Sequence, residues 1–207
     1  MKKSGYLIGI AGNIGVGKTT LTRKMAEKLG WKSYFESVID NPYLDDFYKD
    51  MARWSFNLQI YFLAHRFRTL KQISASGENS IQDRTIYEDV EIFARSIYEQ
   101  GFMSERDFKT YYDLFYEMIP HIKAPDVIIY LRASHETLMN RISSRGREFE
   151  RTIDPQYILY LNAAYDKWID SIRGKFNIIT IDADKTDYLN GEEDLDELIG
   201  LIRKYCP

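Results

Sequence analysis

The stretch Gly12-Asn13-Ile14-Gly15-Val16-Gly17-Lys18-Thr19 decides the fold of this chain. It matches the pattern G-x-x-x-x-G-K-[ST] of a phosphate-binding loop, in which glycines let successive backbone N–H groups turn toward phosphate oxygens. An apolar run, Tyr6–Ala11, precedes the loop, and a segment of helical period, Lys18–Leu29, follows it. The positive end of that helix adds to the attraction for phosphate. The stretch therefore predicts a strand, loop and helix that bind a nucleotide.

Two side chains of this loop carry specific chemistry. Lys18 is expected to reach the β- and γ-phosphates of ATP, and the hydroxyl of Thr19 to coordinate Mg²⁺. A carboxylate at the end of another predicted strand, Asp83, can hold the hydrated ion. The other predicted ATP contacts in this region are Gly12, Asn13, Ile14, Gly15, Val16, Gly17 and Thr20.

Short apolar runs alternate with longer segments of helical period along the chain. The predicted strands are Tyr6–Ala11, Lys32–Glu36, Ser80–Asp83, Asp126–Leu131 and Asn177–Ile181. The predicted helices are Lys18–Leu29, Arg53–Ala75, Glu88–Gln100, Glu105–Met118, His135–Ser143, Pro155–Arg173 and Glu192–Lys204. This alternation predicts an α/β fold in which helices flank a parallel sheet. No repeat or linker interrupts it, so residues 1–207 are expected to form a single domain.

Composition and charge exclude several classes of protein. Of the 207 residues, 44% are hydrophobic and 29% charged, which is the balance of an ordinary globular domain. The formal net charge of −3 argues against a nucleic-acid partner bound through its phosphate backbone. No apolar stretch approaches the roughly 18 residues of a membrane span. The lone cysteine, Cys206, cannot form an internal disulfide, which favours a cytoplasmic protein.

A phosphate-binding loop alone does not distinguish a switch, a motor and a kinase. Regulatory GTPases usually also carry an Asn-Lys-x-Asp motif that reads guanine and an Asp-x-x-Gly switch motif, and transporter ATPases carry a Ser-Gly-Gly signature. This sequence contains none of the three. The remaining interpretation is a small phosphotransferase.

Charged residues near predicted strand ends indicate how such an enzyme treats its acceptor. Glu36 ends the second predicted strand, where ligands gather in a parallel sheet, and can take a proton from a neutral alcohol. Arg84 follows the third predicted strand and can contact the reacting phosphates. A cluster of arginines can close over ATP as a lid, and it comprises Arg141, Arg145, Arg147 and Arg151.

In these segments and in their order, the chain resembles the deoxyribonucleoside kinases over nearly its full length. The resemblance rests on Gly12–Thr19, Phe35-Glu36-Ser37, Arg53–Gln59, Asp83–Asp89 and Arg141–Arg151. Asn41–Leu44 and Gln59–Leu63 are similar to the bacterial deoxyadenosine/deoxyguanosine kinases of that family. The resemblance implies a P-loop kinase fold with a five-stranded parallel sheet and an arginine-rich lid. It also implies Mg²⁺, ATP as phosphate donor, and a homodimer formed through the helices Arg53–Ala75 and Glu88–Gln100.

The resemblance assigns roles to residues around the acceptor. Glu36 would be the general base on the 5′-hydroxyl, with Arg84 beside it. Tyr48 and Glu150 would bind the 3′-hydroxyl of deoxyribose. Phe93 would stack on the base, and the base edge would be read by Gln59.

Two further segments would close over ATP. The lid and the turn 182–187, which would contact the adenine of ATP, contribute the predicted contacts Arg141, Arg145, Arg147, Asp182, Asp184 and Lys185. The sequence departs from the family at Asn41, since many relatives carry tryptophan five residues after the catalytic glutamate.

Arg66 and Asp89 are predicted to set specificity. Arg66 lies seven residues after Gln59, two turns along the same helix face. Relatives that favour thymidine tend to carry apolar residues at these two positions. A buried Arg–Asp pair would narrow the space that a thymine methyl needs and would offer polar groups to a purine or to cytosine.

The sequence therefore predicts ATP-dependent phosphorylation of the 5′-hydroxyl of a purine deoxynucleoside, namely deoxyadenosine and with it deoxyguanosine. A kinase that accepts deoxycytidine is one alternative. A nucleoside monophosphate kinase, such as a thymidylate kinase, shares the phosphate-binding loop and an Asp-Arg pair, and is another. A nucleotide-binding module without catalysis is the alternative from a different class.

Overall fold

A parallel β-sheet of five strands forms the centre of the structure, a computed structural model that describes residues 5–36, 41–186 and 191–207. The strands of this described part are β1 (Leu7–Gly12), β2 (Lys32–Tyr34), β3 (Ser80–Asp83), β4 (Val127–Arg132) and β5 (Ile178–Asp182). Their spatial order is β2-β3-β1-β4-β5. The predicted α/β class and parallel sheet are confirmed.

The first strand lies in the middle of the sheet. Ile8 pairs with Ile81 of β3 on one side, and Ile10 pairs with Ile129 of β4 on the other. All six residues of β1 are buried, because helices cover both faces of the sheet. The phosphate-binding loop, which leaves the carboxyl end of β1, therefore begins at the centre of the sheet edge where ligands bind in such folds.

Helices and short helical turns connect the strands. The α-helices of the described residues are α1 (Lys18–Leu29), α2 (Leu44–Lys49), α3 (Met51–Ser76), α4 (Ile86–Glu88), α5 (Arg95–Glu99), α6 (Glu105–Met118), α7 (His135–Arg145), α8 (Pro155–Ile172) and α9 (Glu192–Ile202). Two 3₁₀ turns follow α6 and α7, at Ile119–His121 and Glu148–Glu150. Across the described ranges, no helix combines the length and the apolar character that crossing a membrane requires.

The predicted helix Glu88–Gln100 differs from the structure in its start and in its geometry. It begins at Ile86, because Thr85 and Glu88 form a capping box at its first turn. Residues Asp89–Ala94 then form a π-helix, and α-helical geometry returns only at Arg95. A π-helical turn holds one residue more than an α-helical turn, and such turns are frequent at functional sites.

Other element bounds differ by smaller amounts. Strand β2 ends at Tyr34, so Glu36 lies two residues beyond it and not within it as predicted. Helix α3 begins at Met51, because the carboxylate of Asp50 accepts a hydrogen bond from the backbone N–H of Arg53 and caps the helix. The short helix α2 was not predicted.

Helix α8 covers the sheet beside β4 and supplies much of the core. Asp154 caps its start and Pro155 occupies its first turn, both favourable choices at those positions. Ile158, Leu161 and Tyr165 recur at helical spacing and are fully buried. The core of the domain is therefore continuous from the sheet into this helix.

Replacing Ile158 by Ala is expected to lower the free energy of unfolding by about 2–5 kcal/mol, because it leaves a cavity between α8 and the sheet. The adjacent residue provides a matched control, since the side chain of Leu159 is 47% exposed. Leu159→Ala should change stability by no more than about 0.5 kcal/mol. Urea unfolding followed by circular dichroism measures both. Equal losses in the two variants would contradict the packing of α8 described here.

Candidate active site

Two cavities open at the carboxyl edge of the sheet. The first has a volume of about 490 Å³ and lies between α1, α2, α3 and the end of β3. The second has a volume of about 500 Å³ and lies between the phosphate-binding loop, α7 and the turn after β5. They share Lys18 and Thr19 in their walls, so a molecule in one can meet a molecule in the other at these two residues.

The phosphate-binding loop is held in place from inside. Lys18 donates to the carbonyl oxygens of Gly12 (2.8 Å) and Asn13 (3.0 Å). Burial and the nearby Arg84 lower the pKa of Lys18 to about 8. Gly17 has φ 108°, a backbone conformation that residues other than glycine rarely adopt. This explains why a glycine precedes the lysine.

Asn13, a predicted ATP contact, turns its side chain away from both cavities. The side-chain amide donates to the carbonyl oxygen of Ile158 (3.0 Å) and to Oδ1 of Asn162 (2.9 Å) on α8. Its own Oδ1 accepts from the backbone N–H of Ile14 (2.8 Å). The asparagine side chain therefore fixes the loop against α8, and only its backbone is available to a nucleotide.

Thr19 and Asp83 meet as the sequence predicted for a metal site. The Thr19 hydroxyl donates to Oδ2 of Asp83 at 2.5 Å, and Oδ1 of Asp83 is buried without a hydrogen-bond partner among the described residues. Burial raises the pKa of Asp83. An unpartnered carboxylate oxygen beside a hydroxyl fits Mg²⁺, which takes oxygen ligands and binds through few protein groups beside phosphate and water.

Glu36, Arg66, Arg84 and Asp89 form one buried network. Glu36 accepts from Arg66 Nη2 (2.6 Å) at one oxygen and from Arg84 Nε (3.2 Å) at the other. Arg66 Nε also donates to Oδ2 of Asp89 (2.7 Å). Burial opposes ionisation of Glu36, but Arg84 and Arg66 outweigh it and lower its pKa to about 2. The predicted base is therefore a carboxylate at neutral pH.

Arg84 occupies an unusual backbone conformation. Its φ is 70°, and among the described residues it is the one residue other than glycine with a positive φ. Its N–H donates to the carbonyl of Ile10 (2.9 Å), and its carbonyl accepts from Arg66 Nη1 (3.0 Å). Its guanidinium carbon lies 4.3 Å from the ring centre of Phe93. Such strain persists only where surrounding contacts enforce it, and it is concentrated at functional sites.

The residues predicted to bind the nucleoside line the first cavity, with the exception of Arg66, which lies behind its wall and binds Glu36 and Asp89. Gln59 is buried on α3, and its Oε1 has no partner among the described residues, so this atom is available to a ligand. Glu150 binds Arg145 through a two-point contact, in which Arg145 Nε lies 3.0 Å from Oε2. The first cavity is completed by apolar and aromatic residues that were not predicted: Phe35, Leu44, Phe47, Leu58, Phe62 and Tyr157.

No residue-level signal in the sequence separated these six side chains from other core residues. The sequence contains many aromatic residues, and only the fold shows which of them face the cavity. Arg23 also lines this cavity, one helical turn after Thr19, and was likewise not predicted.

The predicted lid and adenine contacts are only partly brought together. Arg145 and Arg147 line both cavities. Arg141 donates to the carbonyl oxygens of Val16 (2.9 Å) and Ala183 (2.8 Å), so it joins the phosphate-binding loop to the turn after β5. Arg141 lines the second cavity but not the first.

Asp182, Asp184 and Lys185 line neither cavity. Asp184 accepts from the backbone N–H of Ser134 (2.9 Å) at the start of α7, and Lys185 pairs with Asp182 (2.9 Å). The same turn contributes Ala183 and Thr186 to the second cavity instead. Asp187, at the end of the predicted adenine-binding turn, and Ser37, after the predicted base, lie outside the described residues.

Comparisons with known proteins agree with this geometry. The family model described as deoxynucleoside kinase matches residues 8–207. The chain is 42% identical over 198 residues to a deoxyadenosine/deoxycytidine kinase of Bacillus subtilis, covering 95% of this chain and 91% of that protein. It is 42% identical over 182 residues to a deoxyadenosine kinase of Dictyostelium discoideum, covering 87% and 74%.

A solved structure is similar over almost the whole chain. It is deoxyadenosine kinase from M. mycoides with bound dCTP, with a TM-score of 0.85 and 31% sequence identity. The match covers 96% of this chain and 99% of that one. The five-stranded sheet and flanking helices described above are therefore a P-loop kinase fold.

Replacing Asp83 by Asn is expected to raise the thermal midpoint of the free protein by a few degrees at neutral pH. Since burial raises the pKa of Asp83, its ionised form is disfavoured in the folded protein. The difference from the wild type should shrink as the pH falls from the raised pKa of Asp83 toward the ordinary pKa of the carboxyl, below which the folded and unfolded forms are both protonated. Mg²⁺ with a non-hydrolysable ATP analogue should then stabilise the wild type far more than the variant.

Thermal unfolding with EDTA, and with Mg²⁺ and the analogue, measures both effects. Asp113→Asn is the matched control, since this carboxylate lies exposed on α6 and pairs with Lys109. It should respond to Mg²⁺ as the wild type does. A less stable Asp83→Asn protein with an undiminished response to Mg²⁺ would show that Asp83 is not a metal ligand.

Proposed function

The chain belongs to the deoxynucleoside kinase family, and from that premise we propose that it phosphorylates the 5′-hydroxyl of deoxyadenosine with ATP. Deoxyguanosine and deoxycytidine are proposed as further acceptors, in keeping with the names of the related kinases. We also propose that it works as a cytoplasmic homodimer, with α3 and the helix of α4 and α5 at the interface.

One observation carries this proposal: a carboxylate lines the same cavity as the two residues of the phosphate-binding loop that both cavities share. Glu36 lines the first cavity, whose wall also contains Lys18 and Thr19 of the phosphate-binding loop. A nucleoside in this cavity would bring its 5′-hydroxyl to Glu36, while ATP in the second cavity would bring its γ-phosphate to Lys18. The two substrates would thus react in line across the shared wall.

In the transfer, the 5′-oxygen bonds to the γ-phosphorus, and the bond from that phosphorus to the β–γ bridging oxygen breaks. Glu36 takes the proton of the hydroxyl, and ADP leaves with the electron pair of the broken bond. A carboxylate with a pKa of about 2 is a weak base. It suits a loose transition state, because the hydroxyl then loses its proton late, when its oxygen already bonds to phosphorus.

Lys18 and Arg84 stabilise the negative charge of the transferring group. Thr19 and Asp83 would hold Mg²⁺, which supplies charge neutralisation of the β- and γ-phosphates when it is bound. Arg145 and Arg147, which line both cavities, can approach the same phosphates from α7 and the segment after it.

Recognition of the nucleoside is proposed to follow from the polar groups of the first cavity. The amide of Gln59 offers a donor and an acceptor to a base edge, and Phe93 offers a ring to its face. Tyr48 and Glu150 would bind the 3′-hydroxyl. The Arg66–Asp89 pair is buried beside this site and occupies space that a thymine methyl would need.

The same network disfavours a nucleoside monophosphate as acceptor. Binding a second phosphate requires arginines that are free to pair with it. Arg66 is neutralised by Glu36 and Asp89, and Arg84 by Glu36 and Glu88. The two arginines beside Glu36 are therefore occupied by carboxylates, which favours a neutral alcohol as the acceptor.

ATP consumption with Mg²⁺ and each of deoxyadenosine, deoxyguanosine, deoxycytidine, thymidine and dAMP tests the proposal. We expect turnover with deoxyadenosine, and turnover with thymidine at least tenfold lower, because an unpaired buried polar group costs about 1–3 kcal/mol. Preference for dAMP would assign the chain to the monophosphate kinases. Binding of ATP without turnover of any acceptor would leave a nucleotide-binding module.

Replacing Glu36 by Gln should lower kcat by roughly 10²–10⁴-fold, which is the usual contribution of a general base. The amide keeps the shape of the side chain but accepts no proton. KM for ATP should change little, because Glu36 lines only the first cavity. Steady-state kinetics on protein shown to be folded by circular dichroism measures this. Normal turnover would remove Glu36 from its proposed role.

A further inference from the structure

Glu88 is a fully buried carboxylate that the transfer described above does not use. Its Oε2 accepts from the backbone N–H (2.6 Å) and the hydroxyl (3.0 Å) of Thr85. Its Oε1 accepts from the backbone N–H of Gly12 (3.2 Å) and from the hydroxyl of Tyr165 (2.7 Å). A carboxylate so deep in a protein is tolerated only when its oxygens are bound in this way.

The bond to Gly12 ties Glu88 to the donor side of the site. Gly12 is the first residue of the phosphate-binding loop, and its carbonyl accepts from Lys18. One oxygen of Glu88 therefore contacts both the start of this loop and Tyr165.

Tyr165 ties the same oxygen to the acceptor side. Its hydroxyl donates to Glu88 and accepts from Nη1 of Arg84 (2.8 Å), while Arg84 Nη1 lies 3.6 Å from Glu88 Oε1. The hydroxyl keeps its proton, because burial raises the pKa of Tyr165 well above its usual value. Its ring is fully buried and stacks against Tyr130 of β4, with centroids 5.9 Å apart.

The guanidinium of Arg84 is thus held on three sides. Glu36 binds its Nε, Tyr165 binds its Nη1, and the group lies over the ring of Phe93. The hydrogen bond with Tyr165 (2.8 Å) and the longer ion pair with Glu88 (3.6 Å) connect this group to the carboxylate that binds the phosphate-binding loop. Neither Tyr165 nor Glu88 lines either cavity.

We propose that Tyr165, oriented by Glu88, is a positioning residue that fixes Arg84 relative to the phosphate-binding loop. Through this contact the spacing between the γ-phosphate and Glu36 is set before the substrates arrive. The inference rests on the proposed function, because it assigns Arg84 to the transfer. It adds a contact outside both cavities to the residues on which the reaction depends.

Replacing Tyr165 by Phe removes the bridging hydroxyl and keeps the ring. We expect kcat to fall roughly ten- to hundredfold, the scale of a small misplacement of a catalytic group. KM for ATP and for deoxyadenosine should stay within about twofold, because Tyr165 touches neither cavity.

Tyr130→Phe is the matched control. It removes one hydroxyl from the ring that stacks on Tyr165, but that hydroxyl donates to Asp166 (3.0 Å). Its kcat should stay within about twofold of the wild type. The thermal midpoints of both variants, and their kcat at 10 and 25 °C, show whether a lower kcat arises from misplacement of Arg84 or from loss of folded protein.

The outcomes distinguish the inference from the proposed function. A kcat of Tyr165→Phe equal to that of Tyr130→Phe, or restored on cooling, would overturn the inference while the wild type remained an active kinase. A wild type without turnover on any nucleoside would overturn the proposed function itself. A double variant, Tyr165→Phe with Glu88→Gln, should lose less kcat than the product of the single losses if the two act as one unit. A loss of kcat in the double variant equal to the product of the single losses would show that Glu88 does not act through Tyr165.

Discussion

A buried chain of alternating charges links the acceptor cavity to the phosphate-binding loop. Asp89, Arg66, Glu36, Arg84 and Glu88 follow one another in contact, with three carboxylates and two guanidinium groups. Burying so many charges is not a favourable way to stabilise a core, since desolvation offsets most of the attraction. The arrangement is explained by the chemistry of the site. Burial alone would raise the pKa of Glu36, whereas Arg84 and Arg66 lower it and keep this carboxylate ionised.

Several local features exist because of this chain. The positive φ of Arg84 turns its side chain toward Glu36 and lets its carbonyl accept from Arg66. The π-helix that begins at Asp89 lies where two adjacent carboxylates face different arginines, Glu88 toward Arg84 and Asp89 toward Arg66. Helix α8 in turn supplies Tyr165, which is held to the sheet by stacking. The backbone conformation of Arg84, the π-helix and the packing of α8 thus all position the same group of buried charges.

The features that could be predicted from the sequence are those that depend on local sequence patterns. The phosphate-binding loop and the parallel sheet follow from glycine spacing and from the alternation of strands and helices. The contact between Thr19 and Asp83 follows from the edge where parallel strands end. The bounds of α4 could also have been found, since Thr85 and Glu88 form a capping box three residues apart.

The remaining features depend on long-range contacts that no local pattern reveals. The π-helix and the positive φ of Arg84 lie where Arg66, on another helix, binds Asp89 and the carbonyl oxygen of Arg84. Asn13 matched the loop motif, yet its side chain is turned inward by Ile158 and Asn162, which lie more than a hundred residues later. Aromatic residues that line the cavity and those that fill the core are of the same types and recur at the same helical spacing. Only the folded structure shows which of them face the cavity.

The π-helix also makes the number of residues in this part of the chain a fixed quantity. An α-helix turns by about 100° per residue, and the segment Asp89–Ala94 holds more residues per turn than that geometry allows. Loss of a single residue here would restore a regular helix and would rotate Glu88 relative to the face that continues at Arg95. The site therefore depends on the length of this segment as well as on its side chains, so that removal of one residue is expected to disturb it even where every side chain that contacts a substrate is kept.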